Sequence, residues 1–253
     1  MTPGEITRKE WLKLQPFKVS KMKWKQGYFT KGEVLLWCIS VSAVILSSCV
    51  FSRENYITPA ASVIGVTSLI FNAKGNPFGQ LLMILFAVLY GMISYTFSYY
   101  GEMITYLGMT APMAGIALIS WLKNPYEGNR SEVKVNRINK REHMVMWALT
   151  ALVTVAFYFI LKECNTAYII PSTISVTTSF LAAYLTFRRS PYYAAGYAAN
   201  DIVLILLWIL AAFENKAYLS VVVCFVFFFI NDMYGFFSWK NMERRQAWKG
   251  EAL

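Results

Sequence analysis

Eight apolar stretches leave this chain little choice of fold. Windowed hydropathy places them at about 34–51, 57–71, 78–99, 103–121, 144–161, 168–187, 193–212 and 218–239. Most approach the roughly 20 residues that a bilayer-spanning helix needs. Only helices and closed barrels satisfy their backbone polar groups inside hydrocarbon, and runs of this length specify helices. The second stretch is short and borders Pro59, and the joint at Tyr99 to Glu102 leaves the third and fourth close to one long helix. The sequence therefore predicts an all-α integral membrane protein of about eight transmembrane helices.

Charge supplies the orientation. The chain carries a formal net charge of +10, yet 21 of its 24 Lys and Arg residues lie in the tails and alternate loops on the side of the N-terminus. The positive-inside rule then puts both termini in the cytoplasm, and an even number of crossings agrees with that. The sequence thus predicts a multi-pass membrane protein. Charge spread over loops and tails points to an anionic lipid surface and away from nucleic acid. Residues 1–32 form a basic, aromatic tail, expected at the interface with Trp11, Phe17 and Trp24 among the headgroups; it lacks the cleavage pattern of a signal peptide. Residues 33–253 form the transmembrane domain.

The two halves echo each other, with repeats expected at about 33–121 and 143–239. Tyr56-Ile57-Thr58-Pro59 recurs as Tyr168-Ile169-Ile170-Pro171, Trp37 as Trp147, and Ser120-Trp121 as Ser238-Trp239. Gly79-Gln80-Leu81 can be laid on Asn200-Asp201-Ile202, although Pro77 and Pro191 favour a different offset. A repeat with an even helix number keeps its orientation, so the halves would be parallel. Transporters built this way hold their substrate between the repeats.

Two Asn-Asp pairs stand inside the last two apolar stretches: Asn200-Asp201 and Asn231-Asp232. These are the only aspartates in the chain. An acid inside a membrane segment marks a functional site by default. Counted from the ends of antiparallel helices, both lie roughly 10–12 Å from the cytoplasmic side. The candidate substrate contacts are Asn200, Asp201 and Trp208 on segment seven and Asn231, Asp232 and Tyr234 on segment eight. Gln80, on segment three, and Trp121 and Trp239 complete the set. Blander roles compete. The asparagines could serve as interhelical glue, Trp208 as packing, and Trp121 and Trp239, just before Lys123 and Lys240, as aromatic-belt anchors. Aromatic faces attract cations, and amides and carboxylates accept from hydroxyls.

The sequence NDMYGFFSWKNMERRQ and the helix YAANDIVLILLWILA resemble bacterial nicotinamide riboside transporters of the PnuC type. That resemblance implies a fold like the SWEET sugar carriers. Segments 2–4 and 6–8 would form two parallel three-helix bundles, segment 5 the linker helix and segment 1 an extra N-terminal helix. It also implies a homotrimer working by facilitated diffusion, with uptake driven by phosphorylation of the substrate inside the cell. Relatives of that family carry thiamine or riboflavin, so another vitamin is the alternative cargo. No cofactor motif is present. An enzyme is disfavoured: Cys38, Cys49, Cys164 and Cys224 show no metal spacing, and the single histidine, His143, lies in a basic loop. Proton coupling through Asp201 or Asp232, and a receptor that binds without transporting, remain open.

Overall fold

In the computed structural model, residues 27–52, 56–96, 99–166 and 168–251 are described. The basic tail with Trp11, Phe17 and Trp24 lies outside the described residues. Eight main helices follow the eight apolar stretches: α1 (Lys31–Phe51), α2 (Ile57–Ala73), α3 (Phe78–Thr96), α4 (Tyr100–Leu122), α5 (Lys140–Glu163), α6 (Ile169–Phe187), α7 (Tyr193–Glu214) and α8 (Leu219–Glu251). Seven segments are long and apolar enough to cross a membrane, and the protein is a multi-pass membrane protein. The eighth, α2, has 17 residues and is about 26 Å long, short of the roughly 30 Å of a hydrocarbon core.

Local chemistry sets the helix ends. Thr30 and Glu33 close a reciprocal capping box at the start of α1, at 3.2 Å and 2.7 Å. Glu33 also accepts from Lys74 Nζ at 3.1 Å and from Tyr234 Oη at 2.8 Å, which ties α1 to the end of α2 and to α8. Asn139 caps α5 by accepting from the Glu142 amide, and Glu142 pairs with Arg188 at the end of α6. Helices α2 and α6 end in the same Schellman turn. Gly75 and Arg189 take the left-handed conformation (φ 66° and 58°), while Asn76 and Ser190 donate back to Phe71 and Leu185.

Six helices close into a ring in the order α2, α3, α4, α6, α7, α8, each packed on the next and α8 on α2. Helices α2–α4 are one bundle and α6–α8 the other. The two seams of the ring therefore join the third helix of one bundle to the first helix of its counterpart. The linker α5 packs on α6 from outside, and α1 packs on α2 and α8. Most of α5 and α1 is left facing outward, as expected of helices that meet lipid.

Two features depart from eight simple rods. Helix α4 contains a five-residue π-turn, Tyr106–Thr110. Helix α8 continues twelve residues beyond Trp239, so the basic C-terminal segment extends the helix as far as Glu251. That extension holds the loop after α4. This loop carries a hairpin, β1 (Pro125–Tyr126) and β2 (Asn129–Val133), whose turn places Glu127 and Gly128 at positive φ. Gln246 Oε1 accepts from the Val135 amide at 2.8 Å, Arg245 pairs with Glu132, and the Val133 amide donates to Gly75 O.

Candidate functional site

A closed cavity of about 20 Å³, room for a single water, lies inside the ring, so the bundles must part to admit anything larger. All six ring helices line it: Leu69 from α2, Met83 and Phe86 from α3, Tyr106 and Thr110 from α4, Ser179 from α6, Tyr197, Asn200 and Asp201 from α7, and Phe225, Phe228 and Asp232 from α8. Among the described residues, no lysine or arginine is in this wall. Residues 197 and 201 are four apart, and 225, 228 and 232 are three and four apart, so each set occupies one helix face. The two α4 residues bracket the π-turn; such turns are rare and recur at functional sites.

Asp201 and Asp232 are each 3% exposed, and their carboxyl groups meet within hydrogen-bonding reach. Neither forms an ion pair among the described residues. Asn200 is fixed from α6: Thr178 Oγ1 donates to its Oδ1 at 2.8 Å, and Ser175 Oγ lies 3.4 Å from the same atom. Phe228 has room to stand in the wall because residue 65 on α2 is glycine; a Cβ there would sit 2.3 Å from Phe228 Cζ.

Of the residues singled out from the sequence, the structure brings Asn200, Asp201 and Asp232 into the cavity wall. It places the others elsewhere. Asn231 donates to Ser40 Oγ of α1 at 3.0 Å, and Tyr234 donates to Glu33. Gln80 donates to Asn72 Oδ1 at 2.9 Å. Trp208 donates to Tyr90 Oη at 2.7 Å and packs with Tyr99 and Tyr218 at the end of the ring remote from the chain termini.

Trp121 and Trp239 are not belt residues. Both are 0% exposed, with ring centroids 5.3 Å apart, and Tyr193 packs against them. Each indole crosses a seam of the ring. Trp121 Nε1 donates to Thr186 O of α6 and Trp239 Nε1 to Asn72 O of α2, both at 2.8 Å. The preceding serines do the same: Ser120 Oγ donates to Phe187 O at 2.9 Å and Ser238 Oγ to Ala73 O at 2.7 Å. The acceptors are last-turn carbonyls: Asn72 O and Thr186 O also accept from the Gly75 and Arg189 amides of the Schellman turns.

Sequence reasoning missed Tyr106, Thr110, Ser179, Tyr197, Phe225 and Phe228. Tyr197, Phe225 and Phe228 carried a usable signal, since they lie one or two turns from an intramembrane aspartate on the same face. Tyr106, Thr110 and Ser179 carried none, because their approach depends on the π-turn and on the α4–α6 seam.

A closed ring of membrane helices around a small polar cavity is the arrangement of a small-molecule transporter, with the site at the interface of two bundles. Residues 55–241 match the family described as nicotinamide mononucleotide transporter, and the chain belongs to that family. Its members are transporters, not enzymes. The chain is 25% identical over 252 residues to a nicotinamide riboside transporter, PnuC, of Neisseria mucosa, covering 96% of this chain and 95% of that one. Its fold matches the crystal structure of a vitamin B3 transporter, PnuC, with a TM-score of 0.76 at 24% identity, over 87% of this chain and 95% of that one.

Proposed function

We propose that the protein takes up nicotinamide riboside by facilitated diffusion, binding it in the cavity between the bundles. One observation carries this reading: the cavity wall combines aromatic rings, an oriented amide and two carboxyls with no basic side chain. The pyridinium ring of nicotinamide riboside is cationic and flat, so it suits carboxyls and aromatic faces. Its ribose offers hydroxyls to Asn200, Asp201 and Asp232. The same wall discriminates within the family's described range. A mononucleotide adds a phosphate, and phosphate sites use Arg, Lys or a helix N-terminus. Two buried carboxyls would repel it. Neutral riboflavin would leave the carboxyls without a countercharge, and thiamine would supply the cation without the ribose.

In this reading the chain sits in the bacterial inner membrane with both termini cytoplasmic, as the Lys and Arg distribution supports. The bundles rock about the cavity as parallel repeats; the matched Schellman turns and the matched Ser-Trp bonds support their equivalence. Assembly as a homotrimer, through the outward faces of α1 or α5, belongs to the same proposal.

Uptake into liposomes containing the purified protein tests it. Nicotinamide riboside should enter and equilibrate, nicotinamide mononucleotide should not, and Asn200→Ala should raise KM. Liposomes that admit the mononucleotide as fast as the riboside would refute the substrate assignment.

A further inference from the structure

The cavity holds two acids and nothing to neutralise them. Both carboxyls are buried, and they face each other within hydrogen-bonding reach. No N–H or O–H donor among the described residues reaches Asp201 Oδ2. The groups around the pair offer no positive charge. Tyr193 and Tyr197 face it from α7, Tyr106 from α4 and Cys224 from α8, with Glu102 beyond Tyr106. The cavity wall from α2, α3 and α6 is Leu69, Met83, Phe86 and Ser179. Two carboxylates in contact cannot both stay ionised in such a place; one proton shared between them replaces repulsion with an O–H···O bond.

We infer that the Asp201–Asp232 pair holds one proton when the cavity is empty and releases it when a cationic substrate binds. This rests on the cationic nucleoside proposed above. The exchange conserves charge. The empty pair carries one negative charge and one proton; the loaded pair carries two negative charges, one balanced by the pyridinium. The released proton leaves for bulk water as the cation arrives.

The sign of the linkage follows. Below the apparent pKa of the empty pair, binding must expel a proton, so affinity rises about tenfold per pH unit. Above it the pair has already lost that proton, and affinity becomes independent of pH.

Calorimetry decides it on the purified protein. Nicotinamide riboside is titrated at pH values from about 5 to about 9 in pairs of buffers that differ in ionisation enthalpy. The expected result is release of about one proton per bound cation at the lower pH values, falling to none at the higher ones. The uncharged, reduced form of the same nucleoside should bind with no release, because it brings no charge to exchange. Binding of the cation with buffer-independent enthalpy and constant affinity across the range would overturn the exchange and leave the substrate assignment standing. Equal release by the reduced form would overturn it as well. Failure of the cation to bind at any pH would overturn the substrate assignment and the exchange with it. The comparison of the cation with its reduced form decides on the wild-type protein alone.

Discussion

The two ends of the helix ring are both closed by aromatic side chains, and they are closed differently. At the end that carries the termini, Trp121, Trp239 and Tyr193 form the plug, and each tryptophan is bonded to a backbone carbonyl in the opposite bundle, with a serine beside it doing the same. At the far end, Tyr99, Trp208, Tyr218 and Tyr90 fill the space, and the bond that joins the bundles there runs between two side chains, Trp208 Nε1 and Tyr90 Oη. Main-chain acceptors move only when their helix moves. Each bond at the first end has one partner fixed in the main chain, whereas both partners of the bond at the second end can change rotamer. The far end also borders the break between α3 and α4 and the short joint between α7 and α8.

That contrast can be broken most forcefully at the seams. Trp239→Ala or Trp121→Ala should cost about 3–5 kcal/mol, the range for truncating a buried tryptophan, read as a drop in thermal unfolding temperature in detergent. The two changes share a ring contact, so the double variant should depart from additivity. An additive double variant would show that the two halves of the plug act independently.

Next in size is a change between the two ends. Gly65→Ala should force Phe228 into the cavity and cost about 1–3 kcal/mol by overpacking, and substrate affinity should fall more than solvent access at either mouth changes. Unchanged binding would mean that Phe228 yields elsewhere.

The hydrogen bonds alone are compared by conservative changes. Trp239→Phe removes the indole bond to Asn72 O, which still accepts from the Gly75 amide, and Trp208→Phe leaves a hydroxyl that can rotate; each should cost about 1 kcal/mol, read as a drop in unfolding temperature. The smallest effect is expected from Ser120→Ala and Ser238→Ala, at about 1 kcal/mol each. Cysteine labelling inside the cavity should then quicken from the terminal side and not from the far side.

Much of the architecture was legible in the residues. The eight helices follow the apolar stretches within a few positions, apart from the extension of α8 and the longer α5. Pro77 and Pro191 already marked the offset at which the α2 and α6 turns match. The competing alignment of Gln80 with Asp201 came from local likeness, and Gln80 bonds to Asn72 in the structure. Trp121 and Trp239 misled because a tryptophan next to a lysine at a helix end reads as an interfacial anchor. Their burial depends on the opposite bundle, which no local pattern reports.

What the sequence determined by itself was the length and number of the membrane helices, the side on which charge gathers, and the presence of acids that hydrocarbon would not tolerate. Each of these is settled within one segment, by transfer of that segment from water to lipid. Only the tertiary structure decided which faces turn inward. Lipid and protein core are equally apolar, so hydrophobic periodicity does not mark the inner face of a membrane helix, as it does in a water-soluble bundle. The ring order, the seams sealed by Ser-Trp pairs and the meeting of Asp201 with Asp232 are products of packing between segments far apart in the chain.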